Sequence, residues 1–308
     1  MRDVLLEYVM KITALTPLPS ASTAYLRKAL VLVKPKAGVQ DGQITECLTK
    51  EEVLALTDAT CWKMLEKGMS SIFVLPTSDL DVSDIISATK LKFFTVIVDG
   101  EFTDVSTLEV GNFAGVKAWV TDDRTKASAF AKETKSTAFF GLADNKSINL
   151  YSAFGQFLSG SQWKNQQYIE MEASDDVDTI GEAELLFEDK ISFVLSSEEY
   201  GERLALFANN RQAIVAPYVF EEIQINLQSK ALQYINLNQP AYTEKEASLL
   251  EDTLQGMLDE KYVNREIIEF AELSVTLENE NFVATSRIEV AEPKALWRID
   301  ATLQQGSI

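Results

Sequence analysis

The chain opens on an alternation. In DVLLEYVMKI, Val4, Leu6, Tyr8, Met10 and Ile12 are interleaved with Leu5, Glu7, Val9 and Lys11, and the segment then runs into Pro17 and Pro19. Strand side chains point to opposite faces with a period of two, so this pattern predicts a strand followed by a proline-bearing linker. A strand needs a partner for its backbone donors and acceptors, and the linker sets this one apart from the rest of the chain.

Beyond the linker, short apolar runs alternate with helical patterns. KALVLVKP, SIFVLP, KFFTVIVDG, VKAWVTDD and STAFFGL predict strands. The segment TKEEVLALTDATCWKMLEKG starts with Thr49 and Glu52 at capping-box spacing and ends at Gly68, so it predicts one or two helices. DLDVSDIISA, Arg124 to Thr134 and Ser147 to Ser159 predict further helices. Strands and helices alternating at these lengths imply βαβ units, and hence an α/β domain with a mainly parallel sheet covered by helices.

The pattern then changes. QQYIEMEA and ISFVLSS read as strands, Pro217 to Asn236 as a long helix, and Thr243 to Tyr262 as a second helix. In that second helix Leu249, Leu250, Leu254, Met257 and Leu258 recur at helical spacing, the mark of a core-facing stripe. FAELSVTLE and FVATSRIEV flank NEN, the short polar connection of a hairpin. After Pro293, the stretch ALWRIDATLQQ alternates Trp297, Ile299, Ala301 and Leu303 with polar residues. The expected organisation is a strand arm and linker at 1–22, an α/β domain at 23–165, a domain of helices and antiparallel strands at 166–292, and a second strand arm at 293–308; the fold class is α/β, α+β overall.

Charge and composition narrow the chemistry. The net charge of −19 disfavours nonspecific binding to nucleic acid or anionic membranes. No apolar run reaches the roughly 18 residues of a membrane span, and the N-terminal stretch lacks a signal-peptide layout, so the expected origin is cytoplasmic. Without histidine, imidazole-based triads and HExxH zinc sites are closed. Cys47 and Cys61 are expected to be reduced, partly buried thiols rather than metal ligands. GxGxxG, GxxxxGK[ST] and GxSxG are absent.

Carboxylates remain as candidate catalysts. The acidic run from Glu172 to Lys190, with Asp175, Asp176 and Asp178, lacks the glycine and distal glutamate of a calcium loop, and it reads as a solvated loop leading into a helix at Thr179 to Glu188. Asp99, Asp122 and Asp123 at predicted strand ends are the residues that an α/β enzyme would use. No cofactor or metal is implied.

The order of elements in the last third resembles the C-terminal domain of contractile bacteriophage tail sheath proteins and of the related sheaths of contractile injection systems. The stretches that carry the likeness are LQYINLNQP, TEKEASLLEDTLQGMLDEKYVN, the strands FAELSVTLE and FVATSRIEV, and LWRIDATLQQ; ITECLTKEEVLALTDATCWKMLEKGMSSIFVLP looks like a helix-then-strand segment of the same family. The resemblance implies a structural protein rather than an enzyme. Copies would form hexameric rings stacked around a tail tube protein, with baseplate and tail terminator proteins as further partners. They would be part of the virion, assembled in the host cytoplasm, and would contract to drive the tube through the host envelope for genome ejection.

It also gives the terminal strands a role. Val4, Leu6, Tyr8, Met10 and Ile12 at one end, and Trp297, Ile299, Ala301 and Leu303 at the other, would add to a neighbouring copy's sheet. The receiving hairpin would be Phe270, Leu273, Val275, Leu277, Phe282, Ala284 and Ile288. Burying one arm's apolar side chains at about 1.5–3 kcal/mol each supplies several kcal/mol, partly offset by ordering entropy. Three alternatives stand beside this: both terminal strands pair with their own chain's hairpin, the chain is a baseplate-proximal tail protein, or it is a carboxylate enzyme.

Overall fold

The computed structural model describes residues 7–13, 23–89, 91–110, 116–121, 123–133, 138–140, 146–159, 168–171, 180–189, 191–196, 203–206, 211–264, 267–270, 273–278 and 281–290. In chain order, β1 (Glu7–Thr13) precedes a short 3-10 turn (Thr23–Arg27), β2 (Ala29–Val33), β3 (Thr45–Cys47), α1 (Lys50–Leu56) and α2 (Lys63–Glu66). Next come β4 (Ile72–Pro76), α3 (Ser83–Ala88), β5 (Thr95–Val98), β6 (Val116–Thr121), α4 (Arg124–Glu133), β7 (Ala138–Phe140) and α5 (Lys146–Ser159). They are followed by β8 (Tyr168–Met171), α6 (Ile180–Glu188), β9 (Ile191–Ser196), β10 (Arg203–Leu206), α7 (Arg211–Asn238), α8 (Glu244–Val263), β11 (Ile267–Phe270), β12 (Ser274–Glu278) and β13 (Asn281–Val290).

Two sheets result. The larger has nine strands in the order β3-β4-β2-β5-β6-β7-β9-β10-β8. Its central strands, β4 through β9 in that order, pair in parallel, while β3, β10 and β8 at the two ends are antiparallel. The smaller sheet is antiparallel, with β13 between β1 on one edge and β11 and β12 on the other. The fold class is α/β, as the alternation predicts.

The unbroken apolar character of β2 and β4 has a direct cause. Ala29, Val31 and Val33 face one buried cluster and Leu30 and Leu32 the other, so both faces of the strand are covered. In β4, Ile72 and Val74 join the first cluster, Phe73 and Leu75 the second. The first cluster runs on through α5 (Leu150, Phe154, Phe157), α7 (Ile223, Leu227), α8 (Leu250, Leu254, Leu258) and the small sheet (Phe282, Ile288), so one continuous core joins the two sheets.

Local rules set the helix ends. The Thr49 hydroxyl accepts the Glu52 N–H at 3.3 Å, and a Glu52 carboxylate oxygen accepts the Thr49 N–H at 3.1 Å, closing the predicted capping box. Thr243 caps α8 by accepting the Glu246 N–H at 3.3 Å. Gly68, past the end of α2, has φ +108, a left-handed conformation suited to glycine.

Several elements depart from the sequence pattern. α7 begins at Arg211, so Pro217 lies inside the helix rather than at its start; a proline there removes one ladder bond, that to the Ala213 carbonyl, which a long packed helix tolerates. Phe93 and Phe94 precede β5 and are buried as anchors before the strand starts. FAELSVTLE contributes to both β11 and β12, whose registers against β13 differ by one residue: Phe270 faces Ile288 and Ser274 faces Thr285. The short strands β3 and β10 carry too few residues to register as a periodic run. The nine-stranded sheet also takes in β8, β9 and β10.

Candidate inter-subunit interface

The small sheet is built on β13. Its antiparallel pairing with β12 runs from Ser274 opposite Thr285 to Glu278 opposite Asn281. From that end inward, Leu277 opposes Phe282, Val275 opposes Ala284, and Ser274 opposes Thr285. β11 continues along the same edge with Phe270 opposite Ile288.

α7 and α8 cover one face of this sheet. Ala247, Leu250, Leu254 and Leu258 form the buried stripe of α8 and meet Leu273, Val275, Phe282, Ala284 and Ile288 in the core. Five of the seven residues expected in the receiving hairpin are therefore buried, and Leu277 is 37% exposed. Phe270 occupies its place in β11. At the hairpin end, the Tyr242 ring stacks on Phe282 with centroids 5.4 Å apart, and Tyr242 is itself exposed.

The free edge of β12 is partly satisfied from within. A Glu251 carboxylate oxygen on α8 accepts the Val275 N–H at 2.7 Å. In a hairpin closed by a hydrogen-bonded pair, alternate residues turn their amides outward, and Val275 is one of these. A charged side chain over an outward amide blunts an edge that would otherwise pair with any extended chain.

The other edge of β13 carries β1. The register runs from Glu7 opposite Glu289 to Thr13 opposite Val283. It sets Tyr8, Met10 and Ile12 opposite Ile288, Ser286 and Ala284, positions on the sheet face that α7 and α8 cover. In the single chain, then, the sheet expected to receive an arm holds the chain's own N-terminal strand. Val4 and Leu6 lie outside the described residues, as do Trp297, Ile299, Ala301 and Leu303 of the C-terminal arm.

The short 3-10 turn before β2 is fixed to the body. Leu26 is fully buried, and the Tyr25 hydroxyl donates to the Glu221 carboxylate on α7. Burial and then Glu221 push the Tyr25 phenol above its usual range, so it stays a neutral donor. Beside it Phe94 and Tyr218 meet edge to face at 5.4 Å, and Lys92 lies 5.7 Å from the Tyr25 ring centre. Sequence periodicity does not single out this junction, because it joins residues nearly 200 positions apart; the one local signal is an aromatic residue directly after the linker.

The carboxylates considered for catalysis have structural partners. Asp99 follows β5, next to the point where connections from β2 and β5 diverge, the usual ligand crevice of a doubly wound sheet. It is 4% exposed, with one oxygen accepting the Glu101 N–H at 3.1 Å and the other the Tyr151 hydroxyl at 2.5 Å. A Cβ on Gly100 would meet the Val120 carbonyl at 2.7 Å, so the chain crosses β6 tightly just after Asp99. Asp123 caps α4, accepting the Lys126 N–H at 3.1 Å. Asp122 lies outside the described residues, as do Asp175, Asp176 and Asp178, while Asp189 at the end of α6 pairs with Arg124 at 3.0 Å and Lys132 at 3.3 Å.

Both cysteines are buried free thiols. Burial first, then Glu52 and Glu46, pushes the Cys47 thiol up to about 11, and burial together with Asp99 pushes Cys61 higher still. Neither is a thiolate at neutral pH, the form needed for attack or metal binding. Among the described residues there is no group of three potential metal ligands, and no helix is long and apolar enough to cross a membrane.

No protein-family model matches the sequence, and no curated protein matches it. Solved structures do. A chain of the anti-feeding prophage baseplate superposes with a TM-score of 0.57 at 11% identity, covering 100% of this chain and 99% of that one. The anti-feeding prophage helical sheath in its contracted state gives 0.53 at 8% identity over 91% and 92% of the two chains. A sheath tail protein from Listeria innocua gives 0.55 at 11% identity over 89% and 97%. The chain has the fold of contractile sheath proteins.

Proposed function

We propose that the chain is a structural subunit of a contractile sheath. The observation that carries this reading is the likeness to sheath chains over about nine-tenths of the chain's length, 91% for the helical sheath and 89% for the sheath tail protein. On this reading copies assemble as hexameric rings stacked around a tube protein, bounded by baseplate and terminator proteins, in a phage tail or tail-like particle. Contraction moves the subunits while the terminal strands keep them connected. The chain acts by assembly and carries out no catalysis.

The arms are the joints. Residues 4–12 and 297–303 add as strands to the β11–β13 region of neighbouring copies, where main-chain hydrogen bonds supply affinity and alternate apolar positions supply register. A central β13 with β12 and β11 on one edge and the N-terminal strand β1, joined to the body through a linker, on the other supports this role. Deleting residues 1–15 is expected to leave a folded monomer that no longer polymerises. Tubes of normal width from that variant, seen by negative-stain microscopy, refute the reading.

The match to a baseplate chain over the full length supports a second placement, as a ring next to the baseplate rather than along the tail. The two differ in copy number. Purified protein that forms long tubes of uniform width supports the sheath; single rings that never extend support the baseplate-proximal ring.

A further inference from the structure

We propose that the free subunit is self-capped: its own β1 occupies the β13 edge that a neighbour's arm needs, and this pairing holds the chain monomeric until a second copy's residues 7–13 replace it. The proposal rests on the reading of the arms as joints between subunits.

The geometry makes the two pairings mutually exclusive. β13 is a single strand with two edges, and β12 and β11 hold one of them. The other is filled along its length by β1, in unbroken register from Glu7–Glu289 to Thr13–Val283. An incoming strand from another copy has the same sequence and finds the same partners, so exchange conserves every backbone hydrogen bond and every facing pair, as in a domain swap. The register is not free to slide. A one-residue slip would take positions 8, 10 and 12 out of line with Ile288, Ser286 and Ala284.

Tethering favours the chain's own arm. β1 connects to the body through positions 14–22, and the far end of that connection is anchored by buried Leu26 and the Tyr25–Glu221 hydrogen bond. A strand held this close has an effective concentration on the order of millimolar, about a thousand times that of free arms at micromolar protein. Free subunits therefore stay closed, while a growing end that already presents an open β13 edge, or lends an arm of its own, gains subunits by exchange. Self-capping also covers an edge that would otherwise aggregate.

Locking the arm in place tests this. Val275 donates its N–H to Glu251 rather than to β13, so Val275–Ala284 is a non-hydrogen-bonded pair, the adjacent Ser274–Thr285 pair is hydrogen-bonded, and Thr285 turns its amide and carbonyl toward β12. Lys11–Thr285 is then a non-hydrogen-bonded pair, with Cα atoms at about 4.5 Å, within disulfide range. The double variant Lys11→Cys/Thr285→Cys, oxidised at high dilution with oxidised glutathione, is expected to form a link within one chain and to elute as a monomer. Linked protein should yield no tubes, and dithiothreitol should restore them. Links that form only between chains, or linked protein that polymerises as readily as reduced protein, overturn the proposal.

A second measurement does not depend on polymerisation. A fluorescent peptide of residues 1–15 should bind the chain lacking residues 1–15 about 100-fold or more tighter than it binds the full chain. Equal affinity for both overturns self-capping. If the full chain forms no tubes under any condition, the sheath reading fails, and the peptide comparison still decides whether the arm covers its own edge.

Discussion

At Asp99 a carboxylate sits where an α/β enzyme would place one, and its partners decide what it does. Tyr151 is fully buried and donates to it, while the Glu101 amide takes the other oxygen. A buried charge keeps its place when its lone pairs are satisfied. Tyr151→Phe is therefore expected to destabilise the fold by about 1–3 kcal/mol in urea denaturation, the cost of leaving a buried acceptor without its donor. Cys47 gives a pH prediction. Its thiol pKa rises from an ordinary 9.0 to about 11 in the folded chain, so the folded state holds the proton more tightly than the unfolded state between those values. Its contribution to stability is complete below pH 9 and is lost as pH rises toward 11. Denaturation midpoints measured from about pH 8 to 11 should decline, and Cys47→Ala should flatten that decline. The sequence shows that these residues exist; their roles come from neighbours such as Tyr151, 52 positions from Asp99.

The helices read more directly. The α8 stripe is visible as an apolar period, yet the period alone gives Leu249, Leu250, Leu254, Met257 and Leu258 equal weight. Packing separates them: Leu254 is 0% exposed and Leu249 is 42% exposed. Leu254→Ala is expected to cost about 2–5 kcal/mol, and Leu249→Ala under about 0.5 kcal/mol, by chemical denaturation. Thr49→Ala should cost about 1 kcal/mol through loss of the α1 cap, and Thr49→Ser should restore most of it. Caps and stripes are legible because they depend on residues within a turn or two of each other. α7 was legible in kind but not in extent, since Pro217 suggests a beginning and the helix runs back to Arg211. The strand segment 270–278 contributes to two strands, and the one-residue difference in register belongs to its pairing with β13 and not to its own pattern.

For the whole molecule the governing quantities are the continuous core and the net charge. One buried cluster links the nine-stranded sheet through α7 and α8 to the small sheet, so relative movement of the two would open apolar surface. On the proposed sheath reading, assembly of many copies, each carrying a formal charge of −19, works against mutual repulsion. Salt shortens the Debye length from about 10 Å at 0.1 M to about 3 Å at 1 M, so polymer yield is expected to rise with added NaCl. Sedimentation across a salt series checks this. Yield that falls steeply with salt would mean that attraction between opposite charges dominates the subunit contacts.

The sequence by itself determined the fold class, most strands and helices, the hairpin around NEN and the candidate status of the terminal strand. Each of these rests on periodicity and capping, which act over a few residues and leave their mark in the local order of side chains. Tertiary structure alone decided that both faces of β2 are buried, that Asp99 is closed off by Tyr151, and that Tyr25 is tied to Glu221. It also decided the partner of DVLLEYVMKI. A strand's alternation specifies that it must pair and which face turns inward, but the backbone of any compatible edge satisfies it equally; the edge is chosen by what lies within reach, and in the single chain that edge is β13.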